Sequence, residues 1–224
     1  MINKYSNILM SIYEKGMALS RIYSPYMMWK LAKHKDVLIR SDLAKALVYD
    51  TESEVALDIL CKLSRDKESL VRVEAVDSLS EYCCVKSYKV LKNALYDSDY
   101  LVRKYALFGI AYIGKKLNPE ETIELLQEYD KKEVNLHCKV SIYEGLYMLG
   151  QQVYLDKLMN LFWNDDYQIQ CSVANSLSEV IEQKNVPVIR KFLHTLMIEE
   201  YSVAVKSSIE NLNNVCLELE GKYE

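Results

Sequence analysis

The residues at 109–116 come close to a phosphate-binding motif. The segment reads GIAYIGKK, with four residues between its glycines and a lysine directly after the second glycine. A second lysine stands where the motif requires serine or threonine. A phosphate loop also follows a buried strand, whereas these residues continue an amphipathic helical pattern. Nucleotide binding is therefore not expected at this segment.

The same glycine spacing recurs at Gly145 and Gly150, without a following lysine. A repeated register favours a structural role for the glycines. We expect Gly109 and Gly145 to be close-packing positions within helices. Gly114 and Gly150 are expected to be glycines at helix C-termini.

The sequence gives little support for a metal site or for reactive cysteines. The three histidines, His34, His137 and His194, are scattered, and none has a glutamate beside it or another histidine at metal-binding spacing. The vicinal pair Cys83 and Cys84 suggests redox or thioether chemistry, but vicinal cysteines rarely close a disulfide without backbone distortion. No metal, no cofactor and no catalytic residues are expected, and the chain is predicted not to be an enzyme.

The elements that carry these residues follow a repeat. Around Arg103, apolar or small residues stand at −1, +3, +4, +7 and +10, which is one face of an α-helix. The same offsets recur at intervals of 31 to 36 residues, which is typical of helical-repeat proteins. The six central positions are Arg40, Arg72, Arg103, Lys139, Gln170 and Lys206.

Shorter amphipathic helices lie between these six, so each repeat is predicted to be an antiparallel helix pair. Such a pair cannot bury its own apolar face, and neighbouring pairs must stack. The predicted fold is therefore all-α, a right-handed α-solenoid of about six helix pairs. We expect an N-terminal capping helix at 1–22, the solenoid at 23–215, and a fraying C-terminal tail at 216–224.

Local signals support this division. Ser24 followed by Pro25 predicts one helix start, and Asn118 followed by Pro119 predicts another. Asp97 is expected to cap the helix that contains Arg103.

Composition and charge limit the function classes. The chain of 224 residues has a net charge of −4, which gives no attraction for nucleic acid or anionic membranes. Neither is expected as a partner. Six cysteines without paired spacing, and no leader or membrane-spanning run, predict a cytoplasmic protein.

One face of the repeated helices is acidic and aromatic. Positions +1, +2, +5 and +9 point away from the apolar stripe and are expected to line the concave side of the solenoid. The 18 tyrosines, against 3 phenylalanines, suit a protein interface, although each tyrosine equally fits half-buried surface between helices. The predicted binding residues are Glu74, Asp77, Glu81, Tyr105, Phe108, Tyr112, Glu144 and Tyr147.

A family resemblance rests on the acidic turns and the residues that follow them. These residues are the segment 97–106 (DSDYLVRKYA), Asp66 with Arg72, Asp36 with Arg40, and Asp166 with Gln170. They resemble HEAT repeats of the short bacterial, bilin-lyase-like kind over residues 23–215. The resemblance implies a ladder between repeats, formed by an aspartate in each turn and an arginine in each second helix, with Asp66, Asp97, Arg72 and Arg103 in those places.

The predicted function is a non-enzymatic interaction module or scaffold whose acidic, tyrosine-rich face binds a protein or peptide with a basic surface. One alternative is a neutralising, immunity-type partner of a toxin. The other is an enzyme built on the solenoid, either bilin-lyase-like or DNA-glycosylase-like, although an acidic groove has the wrong sign for DNA.

Overall fold

The computed structural model describes residues 4–196 and 200–221. Within those residues the regular structure is helical, and short 3-10 turns occur at Leu19–Arg21 and Leu47–Tyr49. The helices are α1 Lys4–Glu14, α2 Pro25–Ala32, α3 Val37–Ala46, α4 Glu54–Leu63, α5 Ser69–Leu79, α6 Val85–Ala94, α7 Tyr100–Leu117, α8 Pro119–Asp130, α9 Leu136–Met148, α10 Val153–Leu161, α11 Tyr167–Val180, α12 Val186–Leu196 and α13 Val203–Leu219. The chain divides into a first unit, Met1–Glu124, and a second unit, Leu125–Glu224.

The first unit is built from stacked helix pairs. Helices α2 and α3, α4 and α5, and α6 and α7 pack as pairs. The first helices form one row, α2 on α4 on α6, and the second helices form another, α3 on α5 on α7. Helix α1 packs against α3 and extends the second row.

The second unit follows the same plan. Helix α10 packs on both α9 and α11, α12 packs on α13, and the second helices α9, α11 and α13 contact one another in sequence. The all-α class and the solenoid arrangement of adjacent helix pairs are confirmed. No helix in the described part of the chain is long and apolar enough to cross a membrane.

Repeated apolar positions build the core of both units. The residues at −1 of the central positions, among them Ile39, Val71 and Val102, are fully buried. So are the +7 residues of the first five repeats, such as Leu79 and Ile110, whereas Asn213 in the sixth is half-buried. The periodic apolar stripe is therefore buried, as the sequence predicts, because each inner helix contacts neighbours on both sides.

A ladder of arginine and aspartate joins the repeats of the first unit. Arg40 donates two hydrogen bonds to the carboxylate of Asp66, at 2.7 and 2.8 Å. Arg72 makes the same pair of bonds to Asp97. Each arginine also donates to the carbonyl oxygen six residues before it, from Arg40 to His34, from Arg72 to Asp66, and from Arg103 to Asp97.

Aspartate capping differs in detail from the prediction. The side chain that caps α7 belongs to Asp99, which accepts from the amide of Leu101. Asp97 accepts instead from the amide of Asp99 and binds Arg72. The predicted cap at Asp97 is therefore wrong, because that carboxylate is engaged by the preceding repeat.

The predicted helix starts at Ser24 and Asn118 agree with the structure. The Ser24 hydroxyl accepts from the amide of Met27 at the start of α2. Asn118 Oδ1 accepts from the amide of Glu121, and the Asn118 side-chain amide donates to the Glu121 carboxylate.

The glycines of α7 lie at close approaches. A Cβ on Gly109 would stand 2.9 Å from Leu91 Cδ1, which agrees with a close-packing role. Gly114 does not end a helix, since α7 continues to Leu117. A Cβ there would stand 2.1 Å from Thr122 Oγ1, so Gly114 is also a packing position. Gly150, with φ of +89°, does terminate α9 as predicted.

The expectation of a fraying tail from residue 216 is wrong for the residues that the structure describes. Helix α13 continues to Leu219, and Cys216 is fully buried. Arg190 anchors this end by an ion pair with Glu220 at 3.1 Å. Residues 222–224 lie outside the described residues.

Candidate functional site

An acidic and aromatic surface crosses the second-helix row of the first unit. The helices α3, α5 and α7 pack side by side, so their +2, +5 and +9 positions form three adjacent columns. We call this surface the tyrosine–carboxylate face. Its residues are Asp42, Lys45 and Tyr49 on α3 and the 3-10 turn, Glu74, Asp77 and Glu81 on and just after α5, and Tyr105, Phe108 and Tyr112 on α7.

Six of the eight predicted binding residues belong to this face. Glu74, Asp77, Tyr105 and Phe108 are half-buried. Glu81 is exposed, and Tyr112 exposes 37% of its surface. The structure therefore brings these six residues to one surface of the first unit.

Asp77 lies at the centre of the face, one helical turn from both Glu74 and Glu81. Burial raises the pKa of the Asp77 carboxyl to about 6, and the two neighbouring glutamates contribute to the rise. The positive charges of Lys45 and Lys104 lower the pKa of Asp77 and so oppose this rise. A carboxyl with this pKa exchanges a proton close to neutral pH, as general acid–base chemistry requires.

The neighbours of Asp77 have shifted acidities as well. Burial raises the pKa of the Glu74 carboxyl; Lys45 opposes the rise, and Asp42 adds to it. Burial also raises the pKa of the Tyr105 hydroxyl, and the charges of Asp77 and Glu74 increase the shift. Asp77, Glu74 and Tyr105 thus interact electrostatically, and removal from water is the main cause of their raised pKa values.

The lysines of this region lie over aromatic rings. Lys45 Nζ is 4.9 Å from the ring centre of Tyr13, Lys104 Nζ is 5.8 Å from that of Tyr105, and Lys116 Nζ is 4.6 Å from that of Tyr112. Among the residues that the structure describes, no ion pair reaches Glu74, Asp77 or Glu81. Glu74 and Asp77 are therefore partly removed from water without a bound cation to compensate them.

The aromatic column is ordered by stacking. The rings of Phe108 and Tyr112, one turn apart on α7, stack with centres 6.4 Å apart and an angle of 10° between their planes. Together with Tyr105 they form a flat edge beside the carboxyls, against which a planar group can pack.

The other two predicted binding residues, Glu144 and Tyr147, are not surface residues. Both lie on α9 of the second unit and are only 5% exposed. Glu144 accepts a hydrogen bond of 2.7 Å from Ser176, and Tyr147 Oη accepts one of 2.7 Å from Asn185. Their predicted presentation to a partner is wrong, because α11 and the segment after it cover this side of α9.

Helix α1 adds residues that the sequence did not place at the site. Ser6 donates a hydrogen bond to the carboxylate of Asp42. Tyr13 packs on Tyr49, with ring centres 5.8 Å apart, and receives Lys45 over its ring. The repeat spacing does not include α1, so no sequence signal pointed to these contacts.

The vicinal cysteines have separate roles. Cys83 is exposed, whereas Cys84 is the N-cap of α6 and its sulfur accepts from the amide of Ser87. Burial opposes ionisation of the Cys84 thiol, but the hydrogen bonds with Ser87 and the nearby Lys86 outweigh it and lower the pKa. In the described part of the chain no three His, Cys, Asp or Glu residues are grouped to hold a metal ion.

Comparisons with known proteins give a likeness of fold. No protein-family model matches the chain, and no curated protein matches it. Among solved structures it is similar to a chain in the complex of CpcE and CpcF of phycocyanin lyase from Nostoc sp. PCC7120, at 15% identity and a TM-score of 0.48, over 86% of this chain and 95% of that one. It is also similar to an engineered protein, at 16% identity and a TM-score of 0.44, over 88% of this chain and 98% of that one.

The lyase comparison corrects two expectations from the sequence, that the chain is a non-enzymatic interaction module and that it is not an enzyme. The similar chain belongs to a phycocyanin lyase. At these identities the likeness concerns the fold alone and assigns no reaction. The paired helices and the arginine–aspartate ladder agree with a helical-repeat solenoid.

Proposed function

We propose that the chain is a helical-repeat enzyme whose tyrosine–carboxylate face binds a cationic, nitrogen-containing ligand and exchanges a proton with it through Asp77. The observation that carries this proposal is the position of Asp77. It lies half-buried between Glu74 of its own helix and Glu81 just after that helix, and its pKa is raised to about 6. It forms no ion pair with any residue that the structure describes.

The chemistry follows from that position. In its protonated form Asp77 donates a proton to an oxygen or nitrogen of the ligand, and its carboxylate takes a proton back in the reverse step. Glu74 and Glu81 attract the cationic group, and the stacked rings of Phe108 and Tyr112 accept its flat part.

The resemblance of the repeats to the bilin-lyase-like kind suggests a linear tetrapyrrole as the ligand to test first, because its conjugated rings are flat and its ring nitrogens become cationic when they take up a proton. Its two propionate groups are anionic, so they must lie away from Glu74 and Glu81. The sequence also predicts a protein or peptide partner with a basic surface, whose positive charge would complement the acidic residues of this face. A basic protein segment is therefore the second proposed ligand of this face.

The proposal is tested by isothermal titration of the full chain with biliverdin at about pH 6, where Asp77 is half-protonated. Two buffers with different ionisation enthalpies report the protons that binding takes up or releases. We expect binding with a linked proton transfer, and we expect Asp77→Asn to lose that transfer. The matched control is Asp165→Asn, a change at an exposed aspartate of the second unit.

A lysine-rich peptide is titrated in the same way. Binding of the peptide with a linked proton transfer supports the basic segment as the ligand. Binding of either ligand without proton transfer, or an unchanged transfer in Asp77→Asn, overturns the acid–base role of Asp77. Absence of binding by both ligands overturns the proposed site.

A further inference from the structure

A hollow lies on the first-helix row of the first unit, along α2 and in the turn that leads to α3. Its volume is about 540 Å³, a size that admits a small organic ligand. We call it the lysine–tryptophan pocket. Its lining residues are Tyr26, Trp29, Lys30, Lys33, His34 and Lys35.

The pocket is positively charged in a chain of net negative charge. Residues 15–35 contain five lysines and arginines and no aspartate or glutamate. Two carboxylates of neighbouring turns are already engaged, since Asp36 caps α3 through the amide of Leu38 and Asp66 is bound by Nε and Nη2 of Arg40. The field in the pocket therefore favours an anion.

Two aromatic side chains form the apolar part of the pocket. Trp29 is half-buried, and Lys33 Nζ lies 5.8 Å from its ring centre. Tyr26 leaves 78% of its surface exposed at the first turn of α2. Exposed aromatic faces next to lysines suit a ligand that combines a flat ring with a negative group.

The rim of the pocket is held rigid by the arginine–aspartate ladder. The nearly buried Arg40 donates to the carbonyl oxygens of His34 and Lys35, at 2.8 and 3.2 Å, while its other nitrogens bind Asp66. The amide of Asp36 donates to His34 Nδ1 at 3.1 Å. The ring proton of neutral His34 is therefore on Nε2, which is left as a donor.

The position of His34 explains why this turn differs from the others. Counted from the central arginine, His34 occupies the −6 position, where Asp66 and Asp97 stand in the next two repeats. Those aspartates bind the arginine of the preceding repeat. The turn before Arg40 has no preceding central arginine to bind, and its charge is basic.

From this geometry we infer that the lysine–tryptophan pocket binds a small aromatic anion of the nucleoside monophosphate class. The base stacks on Trp29 and Tyr26, and the phosphate lies between Lys33, Lys35 and the Nε2 of His34. This site is separate from the tyrosine–carboxylate face and does not depend on its proposed function.

The test is isothermal titration of the full chain with three probes: adenosine monophosphate, adenosine and inorganic phosphate. Adenosine monophosphate carries both the ring and the charge, and each other probe carries one of them. We expect it to bind at least about tenfold more tightly than either, because stacking and charge act together. Raised salt should weaken its binding, as expected for lysine contacts.

The variant that removes the charge is Lys33→Gln with Lys35→Gln, both at exposed positions. We expect it to lose about tenfold or more in affinity for adenosine monophosphate. The matched control is Lys62→Gln with Lys89→Gln, at exposed positions on α4 and α6. The control should bind as the unaltered chain does.

Trp29→Leu separates stacking from charge. This variant should bind adenosine monophosphate no more tightly than inorganic phosphate, and it should still bind phosphate. The inference is overturned if adenosine monophosphate binds no more tightly than phosphate alone, if the double lysine variant binds like the unaltered chain, or if no probe binds.

Discussion

Arg72 and Asp97 form a two-point ion pair between consecutive repeats, with Nε and Nη2 donating to the two carboxylate oxygens at 2.7 and 2.8 Å. Only 15% and 13% of the two side chains are exposed. The same arginine donates to the carbonyl oxygen of Asp66, so one guanidinium holds two successive turns. Burial opposes ionisation of Asp97, but the bonds from Arg72 and from the amide of Asp99 keep its pKa below the usual value.

Removal of this pair should weaken the first unit. Asp97→Asn leaves the Arg72 charge partly buried and unpaired, so we expect a loss of about 2–4 kcal/mol in the free energy of unfolding. Urea denaturation at neutral pH measures it. Asp58→Asn is the control, because the ion pair of Asp58 with Lys86 is about half-exposed and should be worth less than about 1 kcal/mol. Equal losses in the two variants would contradict a special role for the ladder.

The ladder also predicts acid sensitivity. Because the folded-state pKa of Asp97 is lowered, its contribution is present above the ordinary aspartate value of 3.8 and disappears as the pH falls through the folded-state pKa. Asp66 behaves in the same way. The difference in unfolding free energy between the unaltered chain and Asp97→Asn should therefore shrink as the pH falls through this range. A difference that is independent of pH would exclude the ionised pair as its cause.

The Asp77 carboxyl should make the free energy of unfolding depend on pH in the opposite direction. Its folded-state pKa is raised from 3.8 to about 6, so the folded chain binds a proton that the unfolded chain releases, and stability falls as pH rises through this interval. Asp77→Asn should then stabilise the chain by about 2 kcal/mol near pH 8, and by much less near pH 4. Denaturant titrations at both pH values measure this. A variant destabilised at both values would show that the Asp77 carboxyl makes a favourable contact in the fold.

Two glycines of α7 allow a matched test of close packing. Alanine at Gly114 places a Cβ 2.1 Å from Thr122 Oγ1, whose hydroxyl is fixed by bonds to Asn118 O and Tyr88 Oη. Alanine at Gly109 meets the flexible end of Leu91 at 2.9 Å. We expect Gly114→Ala to lower the melting temperature more than Gly109→Ala, and to cost about 1–3 kcal/mol.

Thr122→Ala added to Gly114→Ala should recover part of that loss, because it removes Oγ1 and Cγ2, the two nearest of the three atoms that the new Cβ meets, and leaves the Cβ of residue 122 at 2.9 Å. Additive effects of the two changes would argue against a direct clash between residues 114 and 122.

Tyr147 tests the corrected assignment in the second unit. Tyr147→Phe removes one of the two acceptors of the Asn185 side-chain amide, the other being the carbonyl oxygen of Val180, so the free energy of unfolding should fall by about 1–2 kcal/mol. Tyr96→Phe, at a residue that is 84% exposed, should have little effect. Titrations with biliverdin should be unchanged in both variants. A loss of ligand affinity in Tyr147→Phe without a loss of stability would restore Tyr147 as a binding residue.

Much of the candidate site was predictable from spacing. Glu74, Asp77 and Glu81 recur at three- and four-residue intervals on the polar side of one helix, and Tyr105, Phe108 and Tyr112 do so on the next. Their appearance on one surface follows from the helical period and from the stacking of α5 on α7. The same spacing wrongly predicted that Glu144 and Tyr147 are exposed, because the repeat pattern does not specify which polar side chains of α9 the next helices cover.

The sequence by itself determined the helices and their order, because each apolar stripe has the period of an α-helix and must be buried by a neighbour. The resemblance to HEAT repeats indicated the ladder, with Asp66, Asp97, Arg72 and Arg103 as its residues. Only the tertiary structure decided which neighbour each polar group meets. Asp97 binds Arg72 rather than capping its own helix, Gly114 faces Thr122 within a continuing helix, and Asp77 acquires its raised pKa from burial beside Glu74. These outcomes depend on distances between helices, which no local pattern in the sequence specifies.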